Sequence, residues 1–467
     1  MFKKHITLIA IFMSLNGILA TLELLEDLDM LRFVSVDSDT YEKEFEIKII
    51  KHENNSCANV NTVTLDNMDL KVLKNDIVQS DTIQKISLKN NHFQNIPNNI
   101  LDYVPHLICF DLHRNWINLY DGNKLSIHHN YLRALNLSNQ NVFSHQLILW
   151  EIENRVRIEG NTYKYMVFNS SRMRLPYLEH LDISGYDVSA LSWDFNISFP
   201  RLTHLYLTNI NAERVEPHFF KKIPPSLQVL HLENNRFRNL SLNNLMDITA
   251  IYLDGNKHLK NIEISSSKLR TLSFSNCSFT ELGYIDLKTP YLEKLDMSNN
   301  SLESTSYFRF QNYQTLQILL LNNNKFSEIP LLNLQRLTEL SLSYNMIKYI
   351  LPERFLYLIS LQKLSLKGNI IENIESNAFS GLTKLKYLDL SANQLRTLSS
   401  DFLLPVISLQ YLNLNSNQFK HFSDIGFVYS NKSYDYLKHL FVKNNIFSSI
   451  STIDLAYLPS HVSVYIA

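Results

Sequence analysis

"LKYLDLSANQL", residues Leu385–Leu395, decides the fold of this 467-residue chain. Leu388 and Leu390 alternate with polar or aromatic neighbours, which is the two-residue period of a short β-strand with one buried face. Asn393 follows among leucines, where an unpaired polar group would be costly. Because a buried amide can donate and accept hydrogen bonds at once, Asn393 suits a turn whose peptide groups have left the sheet.

The same pattern recurs seventeen times between about residues 60 and 447, at intervals of 21 to 28 residues. "LQVLHLENNRF" from Leu227 is a strong copy, and "ENRVRIEGNTY" from Glu153 is the poorest. The copies start at Val60, Ile83, Leu107, Leu132, Glu153, Leu178, Leu202, Leu227, Ile248, Leu269, Leu292, Leu316, Leu337, Leu361, Leu385, Leu409 and Leu437. A fixed period of this length predicts a solenoid in which neighbouring repeats stack their strands.

The pattern resembles the leucine-rich repeat, L-x-x-L-x-L-x-x-N-x-L. The chain is similar in this respect to Toll-type receptor ectodomains and to insect secreted or cell-surface leucine-rich repeat proteins. The resemblance implies an α/β fold, a curved horseshoe of about seventeen repeats with a parallel β-sheet on its concave face.

Stacked asparagines are expected to form a ladder inside this solenoid. Its expected members are Asn91, Asn115, Asn161, Asn235, Asn256, Asn300, Asn324, Asn345, Asn369, Asn393, Asn417 and Asn445. Met68, Gln140, Tyr186, Ile210 and Cys277 occupy the same slot in the remaining repeats. These departures are either local drift, which repeat arrays tolerate, or a change of local geometry that shapes a binding region.

The two ends of the chain differ from the array. Residues 1–20 have a basic start, an apolar stretch and a cleavage site after Ala20, so they read as a secretory signal peptide and predict a secreted, extracellular product. An N-terminal segment with a covering strand, "EFEIKII", is expected over residues 21–59, the repeat array over 60–447, and a C-terminal capping strand, "HVSVYIA", within 448–467. No later stretch is apolar enough to predict membrane insertion.

The three cysteines are Cys57, Cys109 and Cys277, too few for the cysteine-rich caps of many extracellular relatives. Cys277 is expected to be buried, whereas Cys109 falls on the outer face of the sheet. A pair with Cys57 and a bridge from Cys109 to another chain both remain open. Glycosylation sequons begin at Asn54, Asn136, Asn169, Asn196, Asn239, Asn276, Asn299 and Asn431.

Composition and motifs argue against several functions. The net charge is −1, without the basic excess typical of nucleic-acid binders. No G-x-S-x-G, H-E-x-x-H or P-loop motif is present, so we expect neither an enzyme nor a metal or cofactor site.

Function is expected on the concave face, where outward strand positions have no core role. Repeats five to nine place there Arg155, Arg157, His180, Asp182, His204, Tyr206, His231 and Tyr252. Arg, Tyr and His are residue types that anchor partners, so this patch predicts binding of an extracellular or cell-surface protein or a glycan. His180 and His204 should lie on adjacent strands. The alternatives are a solvated face without a ligand, and a structural or matrix protein that self-associates, for example as a homodimer.

Overall fold

The structure is a computed structural model that describes residues 45, 47–48, 57–74, 77–118, 126–141, 155–158, 161–164, 173–187, 190–191, 198–215, 219–243, 245, 247–280, 284–305, 312–427, 435–448, 450 and 458–466. The chain forms two compact units. The first unit comprises Ile49–Leu302 and Ser306–Thr315, and the second comprises Met1–Lys48, Glu303–Thr305 and Leu316–Ala467. The predicted signal peptide, residues 1–20, lies outside the described residues.

Parallel three-residue strands form the sheet of the first unit. In each strand the leucine-type middle residue points into the core, as Leu205 and its neighbour Leu230 do, and both are fully buried. The strands are Thr62–Thr64, Lys85–Ser87, Cys109–Asp111, Ala134–Asn136, His180–Asp182, His204–Tyr206, Val229–His231, Ala250–Tyr252, Thr271–Ser273 and Lys294–Asp296.

The second unit repeats this arrangement. Leu388, between Leu364 and Leu412 on the neighbouring strands, is fully buried. Its parallel strands are Ile318–Leu320, Glu339–Ser341, Lys363–Ser365, Tyr387–Asp389, Tyr411–Asn413, His439–Phe441 and Ser463–Tyr465. Both units are therefore leucine-rich repeat solenoids, and the predicted fold class is confirmed.

Shorter elements lie beside these sheets. Parallel pairs or triplets join Ile127–His128 with Met173–Arg174, Ala190–Leu191 with Arg214–Val215, Asn239–Leu242 with Asn261–Ser265 and Tyr284–Lys288, and Tyr349–Ile350 with Asn373–Ile374. Helical structure among the described elements consists of the 3-10 turns Asn98–Tyr103 and Phe422–Ile425 and the α-turn Phe219–Lys222.

The predicted repeat from Glu153 is wrong. Strand Ala134–Asn136 pairs directly with His180–Asp182, so the sheet skips the intervening segment. Within that segment Arg155–Ile158 pairs with Asn161–Lys164 in the antiparallel sense. Two residues, one of them Gly160, separate these strands, and a connection of that length favours a hairpin. The repeat count is correspondingly lower than expected, and Asn161 lies outside the ladder.

The other eleven predicted asparagines form the ladder. The Asn393 amide donates to the carbonyl of Leu390 in its own turn and to that of Leu366 in the preceding turn, both at 3.0 Å. Its Oδ1 accepts from the Ile371 amide at 3.0 Å. Every one of the eleven donates to the carbonyl three residues before it.

Three of the substituted slots keep this bonding by other chemistry. Gln140 donates to the Leu112 carbonyl at 2.8 Å, and the Tyr186 hydroxyl donates to the Leu137 carbonyl at 2.9 Å. The Cys277 thiol contacts the Leu253 carbonyl at 3.3 Å. Ile210 is buried without a polar side chain, and Met68 is 54% exposed. Most of the irregular repeats therefore preserve the interior hydrogen bond of the ladder.

Candidate functional site

The outward face of each sheet is the face opposite the leucine core. Six of the eight predicted binding residues lie on this face in the first unit, at the first and third positions of neighbouring strands. His180 pairs in register with His204, as predicted, and Tyr206 pairs with His231, which in turn pairs with Tyr252. We call these six residues the central patch: His180, Asp182, His204, Tyr206, His231 and Tyr252.

Aromatic rings of the central patch stack along the sheet. The rings of His180 and His204 are 4.2 Å apart between centroids, with an interplanar angle of 26°. Tyr206 stacks on His231 at 4.4 Å, and His231 stacks on Tyr252 at 4.7 Å. The strand spacing of about 4.8 Å sets these separations, since equivalent positions on adjacent strands lie one spacing apart. The side chains are therefore already ordered before any partner arrives.

Accessibility divides the central patch into two parts. His180, His204 and Tyr206 are partly exposed. Tyr252, by contrast, has no exposed surface and packs in a cluster with Val229 and Ala250. His231 is also buried, and its Nδ1 lies 3.1 Å from Oε1 of Glu233. The expectation that all outward positions are available for contact is therefore wrong for His231 and Tyr252.

Asp182 has a local structural role that the sequence reasoning missed. Its carboxylate accepts a hydrogen bond from the Ser184 amide at 3.0 Å, closing the turn after the strand. Equivalent bonds join Asp296 with Ser298 and Asp389 with Ser391. The signal was visible as a recurring Asp-x-Ser at one register, a typical side-chain turn. Burial raises the pKa of Asp182, while hydrogen bonds from Ser184 and Ser138 act in the opposite direction.

His180 is held in its neutral form. Burial lowers its pKa to about 4. Its Nδ1 has no hydrogen-bond partner among the described residues. His204 differs, because its Nδ1 lies 2.9 Å from the Thr203 hydroxyl. At neutral pH the stack therefore presents an uncharged His180 ring, which favours contact with aromatic or apolar groups.

Arg155 and Arg157 are not brought to the central patch by a sheet strand. Both lie in the antiparallel hairpin, Arg155 opposite Lys164 and Arg157 opposite Thr162. Their predicted placement on the outward face of the parallel sheet is wrong, because the hairpin replaces the expected fifth repeat.

The described residues contain no cluster of three or more His, Cys, Asp or Glu side chains that could hold a metal ion. Of the sequons, Asn239, Asn276 and Asn299 are exposed and Asn136 is partly exposed on its strand. Asn54, Asn169, Asn196 and Asn431 lie outside the described residues.

The cysteines resolve the pairing that the sequence left open. Cys57 and Cys109 form a disulfide across 52 residues, with 5.9 Å between their Cα atoms. A bridge from Cys109 to another chain is therefore wrong for this structure. Cys277 is fully buried, as expected, and burial raises the pKa of its thiol to about 12.

Comparison with known proteins agrees with the repeats. A family model described as leucine rich repeat matches residues 200–257 and 359–419. The chain is similar to mouse lumican, with 30% identity over 203 residues that cover 38% of this chain and 58% of lumican. It is also similar to human podocan-like protein 1, with 25% identity over 287 residues that cover 58% of this chain and 53% of that protein. The chain thus spans little more than half the length of these curated relatives.

A solved structure supports the fold. The Drosophila Toll–Spatzle complex matches with a TM-score of 0.54 and 18% identity, over 88% of this chain and 54% of that chain. A likeness at this identity concerns the fold alone. Within the described residues, we find no helix with the length and apolar character needed to span a bilayer.

Proposed function

Since this chain is a leucine-rich repeat protein with ordered rings on its outward sheet face, we propose that it is a secreted recognition module. It binds an extracellular or cell-surface protein through the partly exposed part of the central patch. The observation that carries the proposal is the stack of His180 on His204 beside Tyr206. Rings that are fixed by the strand register lose little conformational entropy on docking.

The disulfide supports an oxidising compartment. Cys57–Cys109 pairs within one chain, and such bonds persist mainly outside the cytosol. The signal-peptide pattern of residues 1–20 points the same way. Expression in a secreting cell should deliver the chain to the medium with Cys57 and Cys109 blocked to thiol reagents. Retention inside the cell with both thiols reactive would contradict secretion.

Recognition involves no chemistry on the partner. In this proposal the Cys277 thiol has no catalytic part, because it is fully buried and burial raises its pKa to about 12. The neutral His180 ring and the Tyr206 ring favour a protein surface with aromatic or apolar side chains. We propose a protein as the partner, and nuclease and glycosidase treatment in the test below distinguishes it from a nucleic acid or a glycan.

The test is capture from the extracellular fluid of the source organism by immobilised full-length protein. The double variant His204→Ala/Tyr206→Ala should lose at least tenfold of the captured partner, because both side chains are partly exposed and their removal leaves the core intact. Tyr291→Ala removes a ring that is 50% exposed outside the sheet strands, so it should capture as the wild type does.

Three outcomes would contradict the proposal. Equal capture by His204→Ala/Tyr206→Ala and wild type would exclude the central patch as the binding site. Capture that nuclease or glycosidase treatment of the fluid abolishes would assign a different class of partner. A stable wild-type dimer in light scattering, dissociated by the double variant, would assign the patch to self-association and favour the matrix alternative.

A further inference from the structure

An aromatic slot lies on the outward face of the second unit. Its walls are the rings of Tyr387, Tyr411, Phe441 and Tyr465, which occupy outward strand positions. Tyr387 stacks on Tyr411 with 4.5 Å between centroids, and Phe441 stacks on Tyr465 at 4.4 Å. The two stacks belong to different columns of the sheet, so they offer ring surfaces on two sides of one space.

Phe45 occupies this slot. Its ring meets Tyr387 at 6.2 Å, Tyr411 at 6.4 Å and Phe441 at 5.8 Å between centroids, with interplanar angles of 90°, 89° and 83°. Edge-to-face contact at these distances is a favoured aromatic geometry. Phe45 is 6% exposed, and Phe441 and Tyr465 are each 2% exposed. One side chain from far away in the sequence therefore closes a pocket on the sheet.

This placement overturns the expectation for the N-terminal segment. We expected Phe45 and Ile47 to lie in a covering strand before the first repeat. Neither residue lies in a strand, and Phe45 contacts repeats near the C-terminus instead. Tyr387 and Tyr411 occupy outward strand positions, Phe441 and Tyr465 extend this aromatic surface, and Phe45 packs against it.

The surroundings of the slot favour an uncharged side chain at its centre and a negative charge at its rim. His439 stacks on Tyr411 at 4.7 Å, and its Nδ1 lies 2.9 Å from the Tyr465 hydroxyl. Burial, together with the nearby Lys438 charge, lowers the pKa of His439, so the ring is neutral at physiological pH. Lys363 supplies a positive charge at the rim, with Nζ 5.0 Å from the Tyr387 ring centroid. An apolar ring fits the centre, and a carboxylate beside it suits the rim.

We propose that the aromatic slot is a peptide-docking site for a phenylalanine side chain on a short segment of a protein partner, and that Phe45 is its resident intramolecular competitor. The partner binds when Phe45 leaves, so the residue acts as a latch on the site. A largely desolvated pocket that accepts one aromatic anchor is the usual form of a binding hot spot. The segment "KEFEIKII", residues 43–50, sets the chemistry of the occupant: a phenylalanine between two glutamates.

The proposal predicts how strongly Phe45 reduces the affinity of the slot for an added peptide. A competitor tethered in the same chain lowers the apparent affinity of an added peptide by the fraction of time that the slot is open. A labelled peptide of sequence KEFEIKII should therefore bind the full-length Phe45→Ala variant at least tenfold more tightly than the wild type in fluorescence anisotropy. The peptide KEAEIKII should bind neither protein.

Matched variants assign the binding to the slot. Adding Tyr411→Ala or, separately, Phe441→Ala to Phe45→Ala should abolish peptide binding, whereas adding Tyr436→Ala, which removes a ring that is 61% exposed, should not. Tyr411 is partly exposed at the wall of the slot, so Tyr411→Ala still tests peptide binding if Phe441→Ala does not fold. Circular dichroism confirms that each variant is folded.

Several results would overturn the proposal: equal peptide affinity for wild type and Phe45→Ala, no binding to folded Phe45→Ala, or equal binding of KEAEIKII. A wild-type dimer that Phe45→Ala dissociates would assign the slot to a second copy of the chain and overturn it as well. The central patch is tested separately, because His204→Ala/Tyr206→Ala should leave peptide affinity unchanged.

Discussion

The two units build the same repeat with different regularity. In the second unit Asn324, Asn345, Asn369, Asn393, Asn417 and Asn445 fill the ladder without interruption. In the first unit, five other residue types take the slot, a hairpin replaces a repeat and a disulfide joins Cys57 to Cys109. The hydrogen bond to the turn is therefore kept in more repeats than the asparagine itself, because Gln140, Tyr186 and Cys277 also make it, whereas Ile210 has no polar side chain to do so.

The outward faces differ in the same way. The aromatic slot of the second unit is formed by Tyr and Phe rings around Phe45, whereas the central patch of the first unit mixes histidine, aspartate and tyrosine. Neither composition affects the core, because alternate strand residues point away from it. Each unit therefore carries its own surface chemistry on the same kind of repeat. The predictions below test whether a change in one unit affects that unit alone.

The largest effect is expected in the regular unit. Asn393→Leu removes an amide that bonds the carbonyls of Leu366 and Leu390 and accepts from the Ile371 amide. Stranding these buried groups should cost about 5 kcal/mol and open the flanking repeats. Hydrogen exchange should show lost protection around residues 366–395, while Asn373→Ser, at an exposed position, should leave it unchanged. Unaltered exchange in Asn393→Leu would show that the ladder is dispensable.

The disulfide comes next and belongs to the irregular unit alone. In the loop-entropy description, closing 52 residues stabilises the folded chain by about 4 kcal/mol. Cys57→Ala/Cys109→Ala should lower the stability of the first unit by that order and leave exchange in residues 339–417 as it was. Cys277→Ala breaks no disulfide and removes one buried ladder contact, so it shows how much of the loss a single cysteine side chain in the first unit accounts for. A uniform loss of protection across both units would show that they unfold together.

A smaller loss of stability is expected when the ladder hydrogen bond is removed at a position where another residue replaces asparagine. Tyr186→Phe removes only the hydroxyl that donates to the Leu137 carbonyl at 2.9 Å, so the ring still fills its buried space. The expected loss is about 1 kcal/mol, the net value of one hydrogen bond. Thermal melting should resolve this loss against Tyr291→Phe, whose ring is half exposed. A loss as large as that of Asn393→Leu would mean that one bond supports the whole turn.

The sequence predicts the interior well because its signal is periodic. Leu385, Leu388 and Leu390 recur in phase, and the ladder position follows from them without any long-range information. The prediction of a repeat from Glu153 was wrong because the segment "NRVRI" also alternates charged and apolar residues. Only the direct pairing of Ala134–Asn136 with His180–Asp182 shows that this segment is not a strand of the parallel sheet. Periodicity gives the face of a residue but does not show whether its strand joins the sheet.

The outward face was only partly predictable. Its residues were placed correctly wherever the repeat exists, as for His180 and Tyr206, but their availability was not. Burial of Tyr252 and the docking of Phe45 on Tyr387 and Phe441 are contacts between segments distant in sequence. No local pattern encodes such contacts, whereas the Asp-x-Ser turn at Asp182 is local and was there to be seen.

The smallest effect tests whether the His180 stack responds to pH. Because burial lowers the His180 pKa to about 4, the unfolded chain takes up a proton at higher pH than the folded chain does. The stabilising contribution is complete above the ordinary histidine pKa of 6.5 and is lost as the pH falls from there towards 4. His180→Phe keeps a ring against His204 without a titrating group, so its melting temperature should fall less than that of the wild type between pH 7 and pH 4.5.

The expected difference is below about 1 kcal/mol, since His180 is partly exposed and solvent screens its charge. Asp182, whose pKa burial raises, acts in the opposite direction in acid but is present in both proteins and cancels in the difference. His461→Phe, at an exposed site in the second unit, should follow the wild type. Parallel pH profiles of the melting temperature for wild type and His180→Phe would mean that His180 takes up a proton in the folded protein without loss of stability. The His180 stack would then not respond to pH.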